Sequence, residues 1–338
     1  MDSRVEASFE SSVTAGPSKI SLRPESHGVW RRWVASGIGL ACLLLAILQI
    51  RFELLLSTFT HVRVWFLLVA VMLNFAAFAA TAARWRLLFG ARPTPSLWRF
   101  VEALFVAQLL NSVLPARSGA VGRAHFISRG QGFGTSYALG TVFAEKLIEG
   151  ILLIPIIVLL LPSSPILADM PKALGASLLG IVFVAFVLVA VRARRDTILS
   201  LFRAVFGRMP LVRRLDLVDI LTSAANGMAT LGQAGRNPKI WILSGAIWLI
   251  TAVMYFSTMA ALGVDVPFSA AWVLLFVLQI GARVPALPAG IGVFHYLAIL
   301  VLSSFAVDPT LALSVGIVLH TLVFILPSIL GALVLWKR

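Results

Sequence analysis

The chain has 338 residues, of which 59% are hydrophobic and only 12% are charged. Soluble domains contain roughly 45–50% apolar and about 25% charged residues, so this composition excludes an ordinary soluble protein and predicts a polytopic helical membrane protein. The net charge of +14 is typical of cytoplasmic loops and of contact with anionic lipids. No basic folded module for nucleic acid is visible. The single cysteine, Cys42, excludes disulfides and cysteine-based metal sites within the chain.

The first part of the chain predicts a polar tail and two spans. Residues 1–33 are polar and lack periodicity, which indicates a disordered cytoplasmic tail. The remainder, 34–338, is expected to be one transmembrane domain. Its first two spans are predicted at 34–50 and 64–83. Basic residues lie beside them, including Arg84-Trp85-Arg86, and they place both the tail and the connection after the second span in the cytoplasm.

A broken apolar segment follows. An apolar run over 98–114 is short for a full crossing, ends at Leu114-Pro115, and is followed by a turn that contains Gly119. Breaks at membrane depth persist only where they are buried in protein or line a cavity. We therefore expect a re-entrant hairpin that starts and ends on the cytoplasmic side, and then an outward span over 136–161.

A basic connection separates the two halves of the chain. Residues 175–191 are expected to return to the cytoplasm. There, 192–239 carries nine Lys or Arg residues interleaved with apolar ones. This pattern is typical of amphipathic helices on the inner leaflet, and it also fits a linker packed on the ends of the bundle.

The second half repeats the order of the first. Its parts are a span at 240–262, a short run at 271–281, a break containing Pro285, Pro288, Gly290 and Gly292, a run at 291–305, and a last span at 311–336. The distribution of basic residues places the beginning of the first half in the cytoplasm and the beginning of the second half outside. This opposite orientation indicates an inverted repeat. The expected fold is an all-α polytopic integral membrane protein with about six full spans and two re-entrant broken-helix hairpins. Both termini are expected in the cytoplasm.

Polar and charged side chains inside these apolar segments are the candidate site residues. Each costs about 2.5–3.5 kcal/mol at the bilayer centre on insertion scales, so such residues usually face an internal site. The candidates for substrate binding are Gln108, Asn111, Arg117, Arg123, Glu145, Lys146, Glu149, Gln279, Arg283, His295 and His320. Arginine binds phosphate through paired donors, which favours a phosphate-bearing ligand. The alternative for the arginines is snorkelling to lipid headgroups.

Glu145, Lys146 and Glu149 share one face of a predicted helix. They can pair with groups across the bundle, among them Arg117 or Arg283, and a structural ion cluster and headgroup coordination both remain open.

Three other polar residues lie inside apolar runs. His295 and His320 can titrate near neutral pH, and their separation in sequence is not a metal signature, so we expect no metal site. Asn74, in the second span, is expected to hydrogen-bond a neighbouring helix.

These motifs resemble the lysylphosphatidylglycerol synthase transmembrane-region family over nearly all of 34–338. The resemblance rests on Arg84-Trp85, on Asn111, on Leu114 to Gly119 (LPARSG), on Gly122-Arg123-Ala124, on Glu145-Lys146 and on Pro285 to Phe294 (PALPAGIGVF). It implies a flippase-like domain in a bacterial-type cytoplasmic (inner) membrane that moves lipid between leaflets. The soluble aminoacyl-transferring domain of full-length synthases is not part of this sequence.

Two positions depart from the family pattern. His295 stands where the family usually has an acidic residue, and Lys146 where it commonly has arginine. These departures put a carboxylate-dependent step at position 295 in doubt. They also point to a lipid headgroup that differs from the one expected from the family pattern.

The leading functional hypothesis is a lipid flippase or scramblase rather than an enzyme. Its substrate is expected to be a membrane lipid with an anionic phosphate headgroup, with no cofactor and with Glu145, Glu149 and His295 as candidate proton carriers. No Gly-rich nucleotide loop is visible, so ATP is not expected to drive it. The alternatives are a membrane transferase acting on a lipid phosphate, and an accessory subunit that recruits a cytosolic glycosyltransferase through 192–239.

Overall fold

The computed structural model describes residues 60–90, 94–114, 118–160, 237–281 and 288–337. The predicted tail, the first span, the return segment and the basic connection up to residue 236 lie outside these ranges. Within the described ranges, the regular structure is entirely helical.

Eight helices are described, and their bounds follow. They are α1 (Val64–Leu88), α2 (Leu97–Val113), α3 (Gly119–Ser128), α4 (Thr135–Leu160), α5 (Pro238–Ala261), α6 (Phe268–Gly281), α7 (Val293–Ser303) and α8 (Pro309–Trp336). Of these, α1, α5 and α8 are long and apolar enough to cross a membrane. Helix α4 matches them in length, with 26 residues, but carries acidic and basic residues in its middle. An all-helical membrane protein is thereby confirmed.

The two halves have the same order of helices: long, short, short, long. Their first helices, α1 and α5, pack against each other in opposite directions. The Arg63 N–H, at the start of α1, donates to the Ala261 carbonyl at the end of α5, with 2.8 Å between N and O. At the other end, Arg84 of α1 donates to the Ser244 hydroxyl near the start of α5, at 3.3 Å. The first helices of the two halves are therefore antiparallel.

The first pair of short helices forms a hairpin, and the second pair, α6 and α7, also packs together. At the open end of the first hairpin, the Arg99 side chain donates to the Arg129 carbonyl across 2.5 Å. At its tip, the Gly119 N–H donates to the Asn111 side chain at 2.9 Å, which satisfies one of the unpaired donors at the start of α3. Helices α2 and α3 are therefore antiparallel, and the hairpin begins and ends at the same end of the bundle.

Glycines allow close packing around α2. A Cβ on Gly119 would collide with the Ala107 carbonyl oxygen, one on Gly122 with the Leu110 side chain, and one on Gly331 with the Phe105 backbone. Small residues at such positions let helix backbones approach one another. Helix α2 is thus held between α3 on one side and α8 on the other.

Helix α8 contains a short π-helical segment, Thr321–Ile325. The Leu326 N–H donates five residues back to the Thr321 carbonyl. The next residue, Pro327, has no N–H to donate, so the Leu322 carbonyl would be left unpaired. The buried Asn74 amide of α1 donates to that carbonyl at 2.9 Å. The predicted hydrogen bond from Asn74 to a neighbouring helix is confirmed, and its role is to satisfy this carbonyl.

Candidate functional site

Arg84 is the centre of the largest buried charge cluster among the described residues. The sequence predicts the end of the span at residue 83 and places Arg84 in the connection that follows it; the predicted end of the span is wrong. Helix α1 continues to Leu88, because Arg84, Trp85 and Leu88 all have 0% exposure and pack inside the protein. The tryptophan and leucine supply apolar burial that a headgroup-facing connection would not have.

Arg84 binds the carboxylates of two glutamates of α4. Its Nη2 lies 2.6 Å from Glu149 Oε1 and 3.0 Å from Glu145 Oε1. Its Nη1 donates to Ser244 of α5. One guanidinium therefore joins α1, α4 and α5 through charge-assisted contacts.

Arg123 of α3 binds the second oxygen of Glu145. Its Nη1 lies 3.1 Å from Glu145 Oε2, and its guanidinium carbon lies 4.6 Å from the centre of the Trp85 ring. The Trp85 indole N–H donates to the Thr141 hydroxyl at 2.9 Å. Because Arg123 is 5% exposed, the snorkelling alternative is wrong for this residue. It is an internal ion-pair partner with a cation–π contact.

Lys146 stands at the rim of the cluster. Its side chain is 55% exposed and its Nζ lies 2.7 Å from Glu149 Oε2. The cluster therefore has three cations, Arg84, Arg123 and Lys146, against two carboxylates, and this leaves a formal charge of +1. Its accessible edge carries a lysine that can exchange Glu149 for another anion.

Arg117 and Arg283, the other possible partners for these glutamates, lie outside the described residues, as do Pro115 and Pro285. The described partners are Arg84 and Arg123. Arg84 is the residue that sequence reasoning missed. The pair Arg84-Trp85 gives no local signal for burial, because arginine and tryptophan at the end of an apolar helix are also typical of an anchor at the membrane interface.

The second break places two histidines together. Ala289, Gly290 and Gly292 have φ angles of 59°, 73° and 88°, in the left-handed region that favours glycine. Residues Pro288–Gly290 form a single 3₁₀ turn, and His320 Nε2 lies 3.0 Å from the Ala289 carbonyl oxygen. The ring centres of His295 and His320 are 5.0 Å apart.

The remaining predicted residues have different surroundings. Asn111 caps the first break, as described above, and Gln108 is partly buried on α2. Gln279 is exposed on α6. Helix α2 also packs against the turn Pro288–Gly290, so the hairpin of the first half reaches the break of the second. No group of three or more potential metal ligands occurs within the part of the chain that the structure describes.

Comparison with protein families gives one match. The family described as the lysylphosphatidylglycerol synthase TM region matches residues 32–331. Searches of curated proteins and of solved structures gave no match. The match includes both hairpins, the ion cluster and the histidine pair. The chain therefore belongs to the lysylphosphatidylglycerol synthase transmembrane-region family, whose name connects it with lipid metabolism or transport in membranes.

Proposed function

We propose that this protein is a lipid translocase that moves a phospholipid or polyprenyl-phosphate lipid between leaflets. The observation that carries this proposal is the buried ion cluster, with its excess positive charge and its exposed lysine. Arg84 and Glu145 have side-chain exposures of 0% and 2%. Charged groups inside a membrane protein usually mark a substrate or ion path.

The cluster has the chemistry to bind a phosphate at its rim. Lys146 and Glu149 form the accessible pair, and a phosphate oxygen can replace the Glu149 carboxylate as the partner of Lys146. Arg84 and Arg123 then keep the two glutamates neutralised, so that the incoming phosphate meets net positive charge. Lysine is well suited to this exchange because it binds phosphate as a point charge on a flexible stem.

The helix arrangement supports movement between leaflets. Antiparallel halves with broken hairpins are the architecture of transporters that alternate access about a site at the repeat interface. The outer face of α1 exposes large apolar side chains, among them Trp65, Leu68 and Met72. Such a face suits acyl chains that remain in the bilayer while the headgroup moves through the protein.

Translocation of headgroup-labelled phosphatidylglycerol in proteoliposomes tests the proposal. The variants are Lys146→Gln and Arg123→Gln, and the control is Lys239→Gln, which removes an exposed cation at the start of α5. A hydrogen bond to a charged group contributes about 1.5–3 kcal/mol. We therefore expect each site variant to lower the rate by about 10- to 100-fold and the control to retain it.

Two results would contradict the proposal. One is the absence of translocation by the wild-type protein for phosphatidylglycerol, phosphatidylethanolamine and a polyprenyl phosphate alike, which would favour the accessory-subunit hypothesis. The other is chemical conversion of the lipid without movement between leaflets, which would favour the transferase hypothesis.

A further inference from the structure

The second break contains a pair of histidines enclosed by aromatic rings. His295 is the third residue of α7, and His320 lies directly before the π segment of α8. The ring of His320 has its centre 5.4 Å from that of Phe294 and 5.0 Å from that of Phe324. The fold thus brings together two titratable groups that are 25 residues apart in sequence and places them among apolar groups.

The hydrogen bond between His320 and the Ala289 carbonyl fixes the position of one proton on the His320 ring. A carbonyl oxygen only accepts, so His320 Nε2 carries the hydrogen that it donates to Ala289. In neutral His320 the other nitrogen, Nδ1, is then free of hydrogen and can accept a proton. Nδ1 of His295 is buried and has no hydrogen-bond partner among the described residues. The pair therefore has the capacity to take up an additional proton.

Few other titratable groups belong to the elements around the pair. Helix α6 contains none, and His320 is the only one within α8. Tyr296 follows His295 on α7, and Tyr255 lies in the buried face of α5. Arg283, in the adjacent segment 282–287, lies outside the described residues. Two imidazolium ions with ring centres 5.0 Å apart repel each other strongly away from water, so the pair takes up one additional proton rather than two.

We propose that His295 and His320 form a proton-binding site that takes up one proton together with an anionic lipid headgroup. This inference rests on the proposed function and adds to it a coupled ion. A lone cation in apolar surroundings is costly and is stabilised by a counter-ion. In our proposal the phosphate of the translocated headgroup supplies that counter-ion when it moves from the Lys146 rim towards the second break, so that one proton accompanies one headgroup.

The proton also strengthens the contact that holds the break. A cationic imidazole donates a stronger hydrogen bond than a neutral one, and its acceptor is the carbonyl of Ala289, a non-glycine residue with positive φ. Such a conformation persists only where its surroundings hold it. Uptake of the proton therefore stabilises the break in the conformation that the structure shows.

Lipid translocation at equal pH on both sides of the membrane tests this inference. We expect the wild-type rate to rise about tenfold as the pH falls from about 8 to about 4, a range wide enough for a histidine whose cation has to form among apolar groups. His320→Gln keeps an amide that can donate to Ala289 but cannot bind the proton. Its rate is expected to be low and independent of pH.

The matched control is His125→Gln, which changes an exposed histidine of α3. It is expected to keep the wild-type pH profile. A wild-type rate that does not change with pH, or an unchanged pH profile in His320→Gln, would overturn the proton site while leaving lipid translocation established.

A second measurement is independent of transport. The chain has five histidines, and ¹⁵N NMR of the histidine-labelled protein in phosphatidylglycerol nanodiscs reports the protonation of each. The signals of His295 and His320 are assigned from the His295→Gln and His320→Gln variants, because each variant lacks the signal of the histidine that it replaces. We expect these two residues to share one additional proton across this pH range. If both stay neutral throughout, the proton site is disproved even in a protein that moves no lipid.

Discussion

Arg84 holds the carboxylates of Glu145 and Glu149 next to each other at the centre of the ion cluster. Both glutamates depend on the same Nη2 nitrogen, which lies within 3.0 Å of an oxygen of each. Two carboxylates this close would repel each other without a shared cation. Arg84 is therefore the cation that both glutamates share, in addition to Arg123 for Glu145 and Lys146 for Glu149.

Replacing Arg84 tests this dependence at the scale of the residue. Arg84→Gln leaves the buried Glu145 and the partly buried Glu149 without their shared partner, and breaking a buried ion pair in this way typically costs about 3–5 kcal/mol. We expect a free energy of unfolding lowered by that amount, measured by denaturant titration in detergent.

Arg86→Gln is the control for this experiment, since Arg86 lies two residues away on an exposed part of the same helix end. Exposed charges contribute about 0–1 kcal/mol. Equal losses in the two variants would show that Arg84 has no special role in pairing the glutamates.

At the scale of the element, the first hairpin depends on the absence of a side chain at Gly119. A Cβ there would meet the Ala107 carbonyl oxygen and would lie 2.5 Å from Asn111 Oδ1. The backbone oxygen cannot move aside, so Gly119→Ala is expected to separate α2 from α3. Overpacking of this kind costs about 1–3 kcal/mol.

Gly245→Ala is the matched control, because a Cβ at this position of α5 meets nothing within 4 Å. In a helix, alanine in place of glycine stabilises by about 0.5–1 kcal/mol. We expect the melting temperature to fall for Gly119→Ala and to stay or rise for Gly245→Ala. A fall of equal size in both variants would contradict the proposed packing of the hairpin.

Local signals made many of the elements predictable from the sequence. The short apolar runs next to Pro and Gly predicted the interruptions between α2 and α3 and between α6 and α7. The pairs Asn237-Pro238 and Asp308-Pro309 carry helix-start signals, a capping side chain followed by proline. The structure shows both caps, through the Lys239 and Thr310 N–H groups.

Long-range pairing was not predictable in the same way. Arg84 and Glu149 are 65 residues apart. An arginine near the end of an apolar helix has the same local sequence pattern whether it contacts a lipid headgroup or a carboxylate of another helix. The π segment of α8 likewise depends on Asn74, 248 residues from Leu322. Such partners follow from packing between helices, which no local pattern encodes.

At the scale of the whole molecule, the described residues form two core clusters, each drawn mainly from one half of the chain. One core cluster contains Trp85, Phe100 and Ile148 of the first half, and the other contains Leu274, Phe294 and Leu319 of the second. The halves meet where α1 packs on α5 and where α2 packs on α8. The two halves also share core residues, because Ala70 and Leu153 belong to the cluster of the second half and Ile240 belongs to the cluster of the first.

The inverted arrangement of the halves also predicts which loops share a face of the membrane. The loop before α4 lies at the end of α1, because the Phe133 ring centre is 5.1 Å from that of Phe89. The loop after α5 lies at the start of α1, beside the contact between Arg63 and Ala261. Helix α1 has 25 residues and is therefore about 36 Å long, enough to separate the two loops by a bilayer.

Cysteine labelling from either side of the membrane tests the inverted arrangement most directly. In a Cys42→Ser background, Gly132→Cys and Asp265→Cys place one exposed thiol in each loop. We predict that a membrane-impermeant maleimide reaches Asp265→Cys from outside intact cells and Gly132→Cys only from the cytoplasmic side. Labelling of both positions from the same face would contradict the inverted arrangement, and with it the proposed route for the lipid headgroup.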